Sequence, residues 1–153
     1  MKSPRVLALV LTLAWASSAT PSKAQGLRQY YDTSYSYSPA YSYYYVRYYY
    51  KPFISYPTYN YHYAIYYPSY PQYIYYYNPV SQLYWGRYEI GSKGEKRYSI
   101  LAEKDRKKNL KDIPESAFPA AAAMPAIPGS DDKVAILPPP ENVPKESKPK
   151  AEK

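Results

Sequence analysis

The longest mostly apolar stretch of the chain lies near its start, at residues 6–15. Lys2 and Arg5 precede it, and Ser22-Lys23-Ala24 follows with small residues at the spacing of a signal-peptidase site. A membrane-spanning helix needs roughly 20 apolar residues, so this stretch is too short to cross a bilayer. The pattern predicts a helical secretory signal peptide over residues 1–24.

Two alternatives for this segment stay open: cleavage after Ala19, and retention of the segment as an N-terminal anchor. No later stretch is apolar enough for a membrane span, so no stable span is expected once the signal peptide is removed. The chain has no cysteine, which excludes both a lipid-modified cysteine and a disulfide scaffold. We expect a protein that is secreted, periplasmic or associated with the cell envelope.

Beyond residue 24, the apolar positions are mostly tyrosines. Residues 25–79 form a low-complexity tract that holds 22 of the 25 tyrosines of the chain. Six prolines interrupt the tract and leave proline-free windows at residues 40–51, 58–67 and 72–78. Each window is long enough for one strand, and tyrosine favours extended backbone.

Tyrosine runs in this tract place rings, each with a hydroxyl group, on both faces of any strand. Neither face would therefore be purely apolar. Only residues 59–63, YNYHY, alternate strictly, which would put Asn60 and His62 on the face opposite the tyrosines. Each buried phenol needs a hydrogen-bond partner, or its burial costs about 1–3 kcal/mol. We therefore expect half-exposed rings and a mostly irregular, intrinsically disordered chain with little globular core.

Residues 80–118 form a region called here the Trp-Gly module. Apart from the signal helix, the compact element that the pattern predicts is one small β-hairpin within this module. The stretches LYWGRYEI and RYSILAE alternate as two strands from about Leu83 to Ala102, with Gly91 and Gly94 in the turn. Two strands alone are marginally stable in water, so the hairpin needs a covering element.

A short helical turn near residues 113–118 is the expected cover, because Asp112 and Glu115 have the spacing of a capping box around Pro114. The remaining residues, 119–153, are rich in proline, alanine and lysine. Proline favours an extended and solvated chain, so this region is predicted to be a disordered tail.

The sequence contains no recognisable catalytic or metal-binding motif. His62 is the single histidine, and no set of further ligands is spaced around it for zinc. No nucleophile elbow, phosphate-binding glycine loop or metalloprotease motif is present. We expect no enzymatic activity, no catalytic or metal-binding residue and no cofactor.

The charge of the chain points to a class of partner. The net charge of +8 falls to +5 when Lys2, Arg5 and Lys23 leave with the signal peptide. An exported protein is separated from most nucleic acid, so nucleic acid is not an expected partner. Anionic polymers and polysaccharides of the cell envelope, or further copies of the chain, are the expected partners. The basic stretch at residues 104–111 is interpreted as a solvated face or loop, and a specific anion site is the alternative that stays open.

Three functions are considered, of which the first is the expected one and the other two are alternatives. The first is a non-catalytic envelope or matrix protein whose tyrosines mediate self-association or adhesion through ring contacts of about 0.5–1.5 kcal/mol each. The second is an aromatic platform that binds cell-wall or matrix polysaccharide, and the third is a spacer tract without a function of its own. The rings expected to make contacts are Tyr84, Trp85 and Tyr88 of the module, and Tyr61, Tyr63, Tyr75 and Tyr76 of the tract.

Residues 76–132 resemble a recurring pattern in a family of short, exported, uncharacterised bacterial proteins. The likeness rests on the motifs YWGRY, LAEKDRK, DIPESAFP and MPAIPGS, and it covers about a third of the chain. The resemblance implies that the Trp-Gly module is the common unit and that the tyrosine tract is a variable N-terminal extension. No activity is attached to that family, so the resemblance implies no functional residue.

Overall fold

The computed structural model describes residues 28–145, so the predicted signal peptide and its helix lie outside the described residues. Seven strands form one antiparallel sheet. They are β1 (Gln29–Tyr31), β2 (Ser36–Ser38), β3 (Tyr43–Tyr50), β4 (Asn60–Tyr66), β5 (Tyr73–Asn78), β6 (Leu83–Glu89) and β7 (Tyr98–Ile100). Short 3-10 turns follow at Glu103–Asp105, Leu110–Asp112 and Glu115–Ala117.

The sheet is built mainly from neighbours in sequence. Its strand order is β1-β3-β4-β5-β6-β7, and β2 pairs with β3 beside β1. β1 pairs with the end of β3, at residues 48–50, whereas β2 pairs with its start, at residues 43–45. From β3 to β7 each strand pairs with the next one along the chain, so short connections are sufficient.

The prediction of a mostly disordered chain with little core was wrong, because the tyrosine tract itself builds most of the sheet. Strands β1 to β5 all lie within residues 25–79. Strands β3, β4 and β5 occupy the three proline-free windows, and the prolines of the tract fall between strands. Proline has no N–H to donate to a ladder, so this placement leaves the hydrogen bonding of the central strands intact.

One face of the sheet, called here the covered face, carries the larger core. The even-numbered positions of β3 point to it and are all buried: Tyr44, Val46, Tyr48 and Tyr50. Residues 119–145, expected to be part of a disordered tail, instead pack across this face and contribute Ile127 and Ile136. These two side chains are 1% and 2% exposed, so the tail segment closes the core.

The tail also supplies hydrogen-bond acceptors for half-buried tyrosines that pack against this core. Tyr31 donates to the carbonyl oxygen of Leu137 at 2.8 Å, and Tyr35 donates to that of Pro140 at 2.7 Å. The hydroxyls of Tyr31 and Tyr76 lie 2.6 Å apart. Proline offers a carbonyl without an N–H, so a proline-rich segment complements a surface of hydroxyl donors. The desolvation cost that favoured disorder is thereby largely avoided.

Gln29 connects the tail to the sheet in the middle of this core. Its side chain is fully buried. Its Oε1 accepts hydrogen bonds from the Tyr48 hydroxyl at 2.6 Å and from the backbone N–H of Leu137 at 3.0 Å. Its Nε2 donates to the carbonyl oxygen of Ala135 at 2.9 Å. Because a buried amide must satisfy its polar atoms, Gln29 holds the tail in one register.

The opposite face, called here the open face, has a smaller core. Residues 101–118 pack against part of this face and contribute Leu101 and Ile113, which are buried with Ile65 of β4, Tyr75 of β5 and Tyr84 of β6. The odd-numbered tyrosines of β3 also point to this face, but they stay half-buried rather than buried. This face therefore keeps accessible rings.

The predicted hairpin region forms one edge of the sheet rather than an isolated two-stranded module. Strand β6 pairs with β7 so that Gly86 faces Ile100 and Tyr88 faces Tyr98. Strand β5 supplies the second neighbour of β6, which an isolated hairpin would lack. Gly91 has a φ of +73° in the connection, a backbone conformation that glycine adopts without a steric penalty.

The capping box expected around Pro114 is absent. The 3-10 turn Glu115–Ala117 starts after Pro114 without a side-chain cap. Asp112 instead accepts a hydrogen bond from Nδ2 of Asn109 at 2.8 Å. Glu115 accepts two hydrogen bonds from the Arg87 guanidinium, at 2.6 and 2.8 Å, so its carboxylate ties residues 101–118 to β6.

Candidate binding surface

A row of tyrosine rings, called here the tyrosine row, crosses the open face over β1, β3 and β4. Odd-numbered positions of β3 and β4 share this face because side chains alternate along each strand. Successive ring centroids lie 4.8 to 6.2 Å apart. In order of contact the rings are Tyr30, Tyr49, Tyr61, Tyr63, Tyr45 and Tyr43. The sheet thus holds an aromatic surface in a fixed arrangement.

Both ends of the tyrosine row contain stacked rings. Tyr30 stacks on Tyr49 with an interplanar angle of 18°, and Tyr43 stacks on Tyr41 with an angle of 8°. Tyr41 is 68% exposed and Tyr30 is 41% exposed. Stacked rings leave their outer faces available for a further planar or apolar surface.

Two cations lie over rings near the start of the tyrosine row, over Tyr49 and over Tyr59, whose ring contacts that of Tyr30. The Arg47 guanidinium carbon lies 5.3 Å from the centroid of Tyr49, and its Nε is 2.9 Å from Oδ2 of Asp32. The ammonium of Lys51 lies 4.7 Å from the centroid of Tyr59. Such contacts place positive charge beside the aromatic surface.

A groove of about 650 Å³ opens on the open face beside the tyrosine row. Ile65 and Tyr84 line this groove although they are only 1% and 5% exposed, so they form its floor. Lys108 and Lys111 line it from the segment that follows β7. The other rings of the lining are Tyr41, Tyr43, Tyr67, Tyr70 and Tyr77. The volume lies in the range of about 300–1,000 Å³ that is typical of small-molecule sites.

The phenols at the floor of the groove are hydrogen-bonded and neutral. The hydroxyls of Tyr84 and Tyr67 lie 2.7 Å apart. Burial, together with the neighbouring Tyr67, raises the pKa of Tyr84 above its usual value. Burial also raises the pKa of Tyr43 to about 12. The hydroxyls of Tyr84 and Tyr43 therefore stay protonated at neutral pH, so the charge of the groove comes from Lys108 and Lys111.

Four of the seven predicted contact residues lie on the open face. Tyr61, 39% exposed, and Tyr63, half-buried, belong to the tyrosine row. Tyr84 lies at the floor of the groove. Tyr75 is 4% exposed, and its ring centroid lies 6.1 Å from that of Phe118, which packs against it.

The other three predicted contact residues, Trp85, Tyr76 and Tyr88, belong to the core of the covered face. The Trp85 ring packs 5.2 Å from that of Tyr76 and 5.4 Å from that of His62, centroid to centroid. Trp85 is 9% exposed and Tyr88 is 1% exposed. The structure therefore separates these three rings from the tyrosine row by the thickness of the sheet.

His62 is a core residue of the covered face. Its Nε2 lies 3.2 Å from the Tyr50 hydroxyl, and burial lowers its pKa to about 4. The imidazole is therefore neutral at neutral pH. Within residues 28–145 no group of three or more His, Cys, Asp or Glu side chains lies together in the manner of a metal site. The same part of the chain contains no helix that could span a membrane.

Several residues of this surface were missed by the sequence analysis. Tyr43, Tyr45 and Tyr49 are spaced at odd positions, which is a signal for a shared face once β3 is known to be a strand. Lys108 was assigned to a solvated loop, and no local pattern places it near Tyr41. The groove joins segments that are far apart in the sequence, so only the folded chain brings its lining together.

Comparisons with protein-family models, curated proteins and solved structures return no match to this chain.

Proposed function

We propose that this protein is a non-catalytic, exported binding protein whose open face binds a polysaccharide of the cell envelope or matrix. The observation that carries the proposal is the tyrosine row, a set of rings held at fixed spacing by β1, β3 and β4. One face of a sugar ring presents C–H groups that pack on an aromatic ring while the hydroxyl groups stay hydrated. A row of rings is suited to a ligand that repeats along a chain.

The exposure of the aromatic residues supports the proposal. Aromatic side chains that line the groove remain accessible, with Tyr41 68% and Tyr70 49% exposed. Contiguous exposed apolar surface in a soluble protein marks an interaction site. Tyrosine suits a wet interface because its ring contributes contact area and its hydroxyl stays hydrated.

Self-association is the second candidate function, and the fold changes how it would work. The flexible tract considered in the sequence analysis would offer all its rings, whereas Tyr48 and Tyr76 are fully buried in the fold. The open face carries the ordered row of accessible rings, so we expect two copies to pack these faces together. The candidate thus predicts a defined dimer rather than a network of weak contacts.

Saccharide binding tests the proposal directly. Neutral tetrasaccharides of β-1,4-linked glucose and N-acetylglucosamine are titrated calorimetrically, and the matching insoluble polymers are used for co-sedimentation. The double variant Tyr49→Ala, Tyr61→Ala removes two rings of the tyrosine row. At about 0.5–1.5 kcal/mol for each ring, we expect roughly tenfold weaker binding.

The matched control changes exposed apolar residues outside the tyrosine row. Phe53 and Ile54 lie in the connection from β3 to β4 and are 53% and 63% exposed. The double variant Phe53→Ala, Ile54→Ala should bind like the parent. Unchanged binding in the Tyr49, Tyr61 variant would overturn the proposal. Concentration-dependent dimerisation that this variant loses, with no saccharide binding, would favour self-association.

A further inference from the structure

We infer that the groove on the open face is a subsite for an acidic sugar, whose carboxylate is bound by Lys108 and Lys111 while its ring packs on tyrosine. The inference rests on the proposed function and narrows its ligand to acidic polysaccharide. Both lysines line the groove, together with the floor residues Ile65 and Tyr84.

The ion pairs of the described residues leave these lysines available. Each of the four ion pairs within residues 28–145 uses an arginine: Arg28 with Asp132, Arg47 with Asp32, Arg87 with Glu115, and Arg97 with Glu141. Neither Lys108 nor Lys111 takes part in any of them. An unpaired ammonium group at a groove is a ready partner for an anionic ligand.

The lining of the groove contains no competing negative charge. Among the described residues that line it, Lys108 and Lys111 are the charged ones. Asp112 follows Lys111 directly but is not part of the lining, and its Oδ2 accepts a hydrogen bond from Asn109 at 2.8 Å. Two like charges without a neutralising carboxylate set a positive local potential.

The aromatic part of the lining distinguishes a sugar from a small inorganic anion. Tyr41 and Tyr43 are stacked at 5.4 Å, and both line the groove. A bare anion would contact only the ammonium groups, whereas an acidic sugar also uses the rings. Lysine binds a carboxylate as a mobile point charge and needs no bidentate geometry. Tyr43 belongs to both the groove and the tyrosine row, so one polysaccharide chain can contact both.

The test compares a charged ligand with an uncharged derivative of the same backbone. Tetragalacturonate carries a carboxylate on each ring, and its methyl ester has the same backbone without that charge. Calorimetric titration uses the parent protein, the variant Lys108→Gln, Lys111→Gln and the control Lys93→Gln, Lys96→Gln. The control removes the same charge from exposed lysines of the connection between β6 and β7, which do not line the groove.

We expect the parent to bind tetragalacturonate at least tenfold more tightly than the ester. The Lys108, Lys111 variant should lose that preference and bind the ester as before, and the control variant should keep the preference. Raising the salt concentration from 0.05 to 0.5 M should weaken binding of tetragalacturonate and leave the ester unaffected.

Four results would overturn the inference, and they differ in what they say about the proposed function. Equal binding of both ligands, or equal losses in the two lysine variants, would refute the acidic subsite while saccharide binding stands. Binding of a neutral glucan but of neither galacturonate ligand would do the same. If no saccharide binds to the parent protein, the proposed function fails together with the inference.

Discussion

Tyr48 and Tyr49 are neighbours in β3, yet their surroundings differ because they point to opposite faces of the sheet. Tyr48 is fully buried on the covered face and donates a hydrogen bond to Gln29 at 2.6 Å. Tyr49 is half-buried on the open face, where it stacks on Tyr30 and lies beneath Arg47. The same residue type therefore builds a core on one face and an accessible surface on the other.

The difference comes from what covers each face. The tail brings the carbonyl oxygens of Leu137 and Pro140 to the half-buried Tyr31 and Tyr35, and the Tyr31 hydroxyl in turn lies 2.6 Å from that of the fully buried Tyr76. On the open face, Arg87 of β6 links the sheet to the covering segment through its two hydrogen bonds to Glu115. Its guanidinium carbon lies 3.8 Å from the centroid of Tyr73 and 4.0 Å from that of Phe118. A covering segment that also supplies hydrogen-bond acceptors lowers the cost of burying tyrosines.

Alkaline pH should have the largest effect on stability, because it acts on the buried tyrosines of the covered face. Burial raises the pKa of Tyr31, Tyr48 and Tyr98 above the usual value for tyrosine. In the native state these phenols keep their protons above pH 10, whereas in the unfolded state they release them near pH 10. Their contribution to the free energy of unfolding is therefore full below pH 10 and is lost as the pH rises further. We expect cooperative unfolding above a pH of about 11, followed by circular dichroism and tyrosinate absorbance. Full ionisation with the sheet retained would contradict this.

A charged residue in the core that the tail closes should be the most destabilising single substitution. Ile136 is 2% exposed in the covered core, whereas the adjacent Ala135 is exposed. Ile136→Asp should lower the free energy of unfolding by about 4 kcal/mol, because the carboxylate would be buried without a partner. Ala135→Asp should change it by less than about 1 kcal/mol. Urea denaturation of both variants measures the difference, and similar values would show that the tail does not close the core.

Removal of one tyrosine ring from each face compares how much the two faces contribute to stability. Tyr76 is fully buried on the covered face, and Tyr61 is 39% exposed on the open face. Tyr76→Ala should cost about 3 kcal/mol through the cavity and the loss of its hydrogen bond, and Tyr61→Ala less than about 1 kcal/mol. Denaturation midpoints measure both costs. An equal cost at the two positions would mean that both faces contribute equally to stability.

The smallest expected effect concerns the close packing of β6 against β7. A Cβ added at Gly86 would lie 2.7 Å from the Tyr98 hydroxyl oxygen and 2.8 Å from the carbonyl oxygen of Ser99. Gly86→Ala should therefore destabilise the protein by about 2 kcal/mol. Gly91 has open space around the added Cβ, so Gly91→Asn at its φ of +73° should cost less than about 1 kcal/mol. A thermal shift of equal size in both variants would refute the packing argument.

Part of the fold was visible in the local sequence. The strict alternation of residues 59–63 does separate the two faces of β4, with Tyr61 on one and His62 on the other. The buried side, however, is the one with Asn60 and His62, the reverse of what their polarity suggests. Polarity failed as a guide because His62 is neutral in the core and Tyr61 is amphipathic enough to face solvent.

The candidate surface was predictable only in part. Tyr61 and Tyr63 were named as contacts and lie in the tyrosine row. Trp85 was named for its aromatic character but is buried, since β-strand register and the neighbours of β6 decide which of its residues face solvent. Lys108 belongs to the surface only because residues 101–118 return across the open face.

By itself, the sequence determined where strands can form, because proline excludes a residue from the interior ladder and side chains alternate with a period of two. Only the tertiary structure decided which tyrosines are core and which are surface. That outcome depends on contacts between distant segments, such as Gln29 with Ala135 and Leu137, and no local pattern encodes them. A phenol ring is compatible with both environments, so the choice falls to the acceptors that folding brings to it.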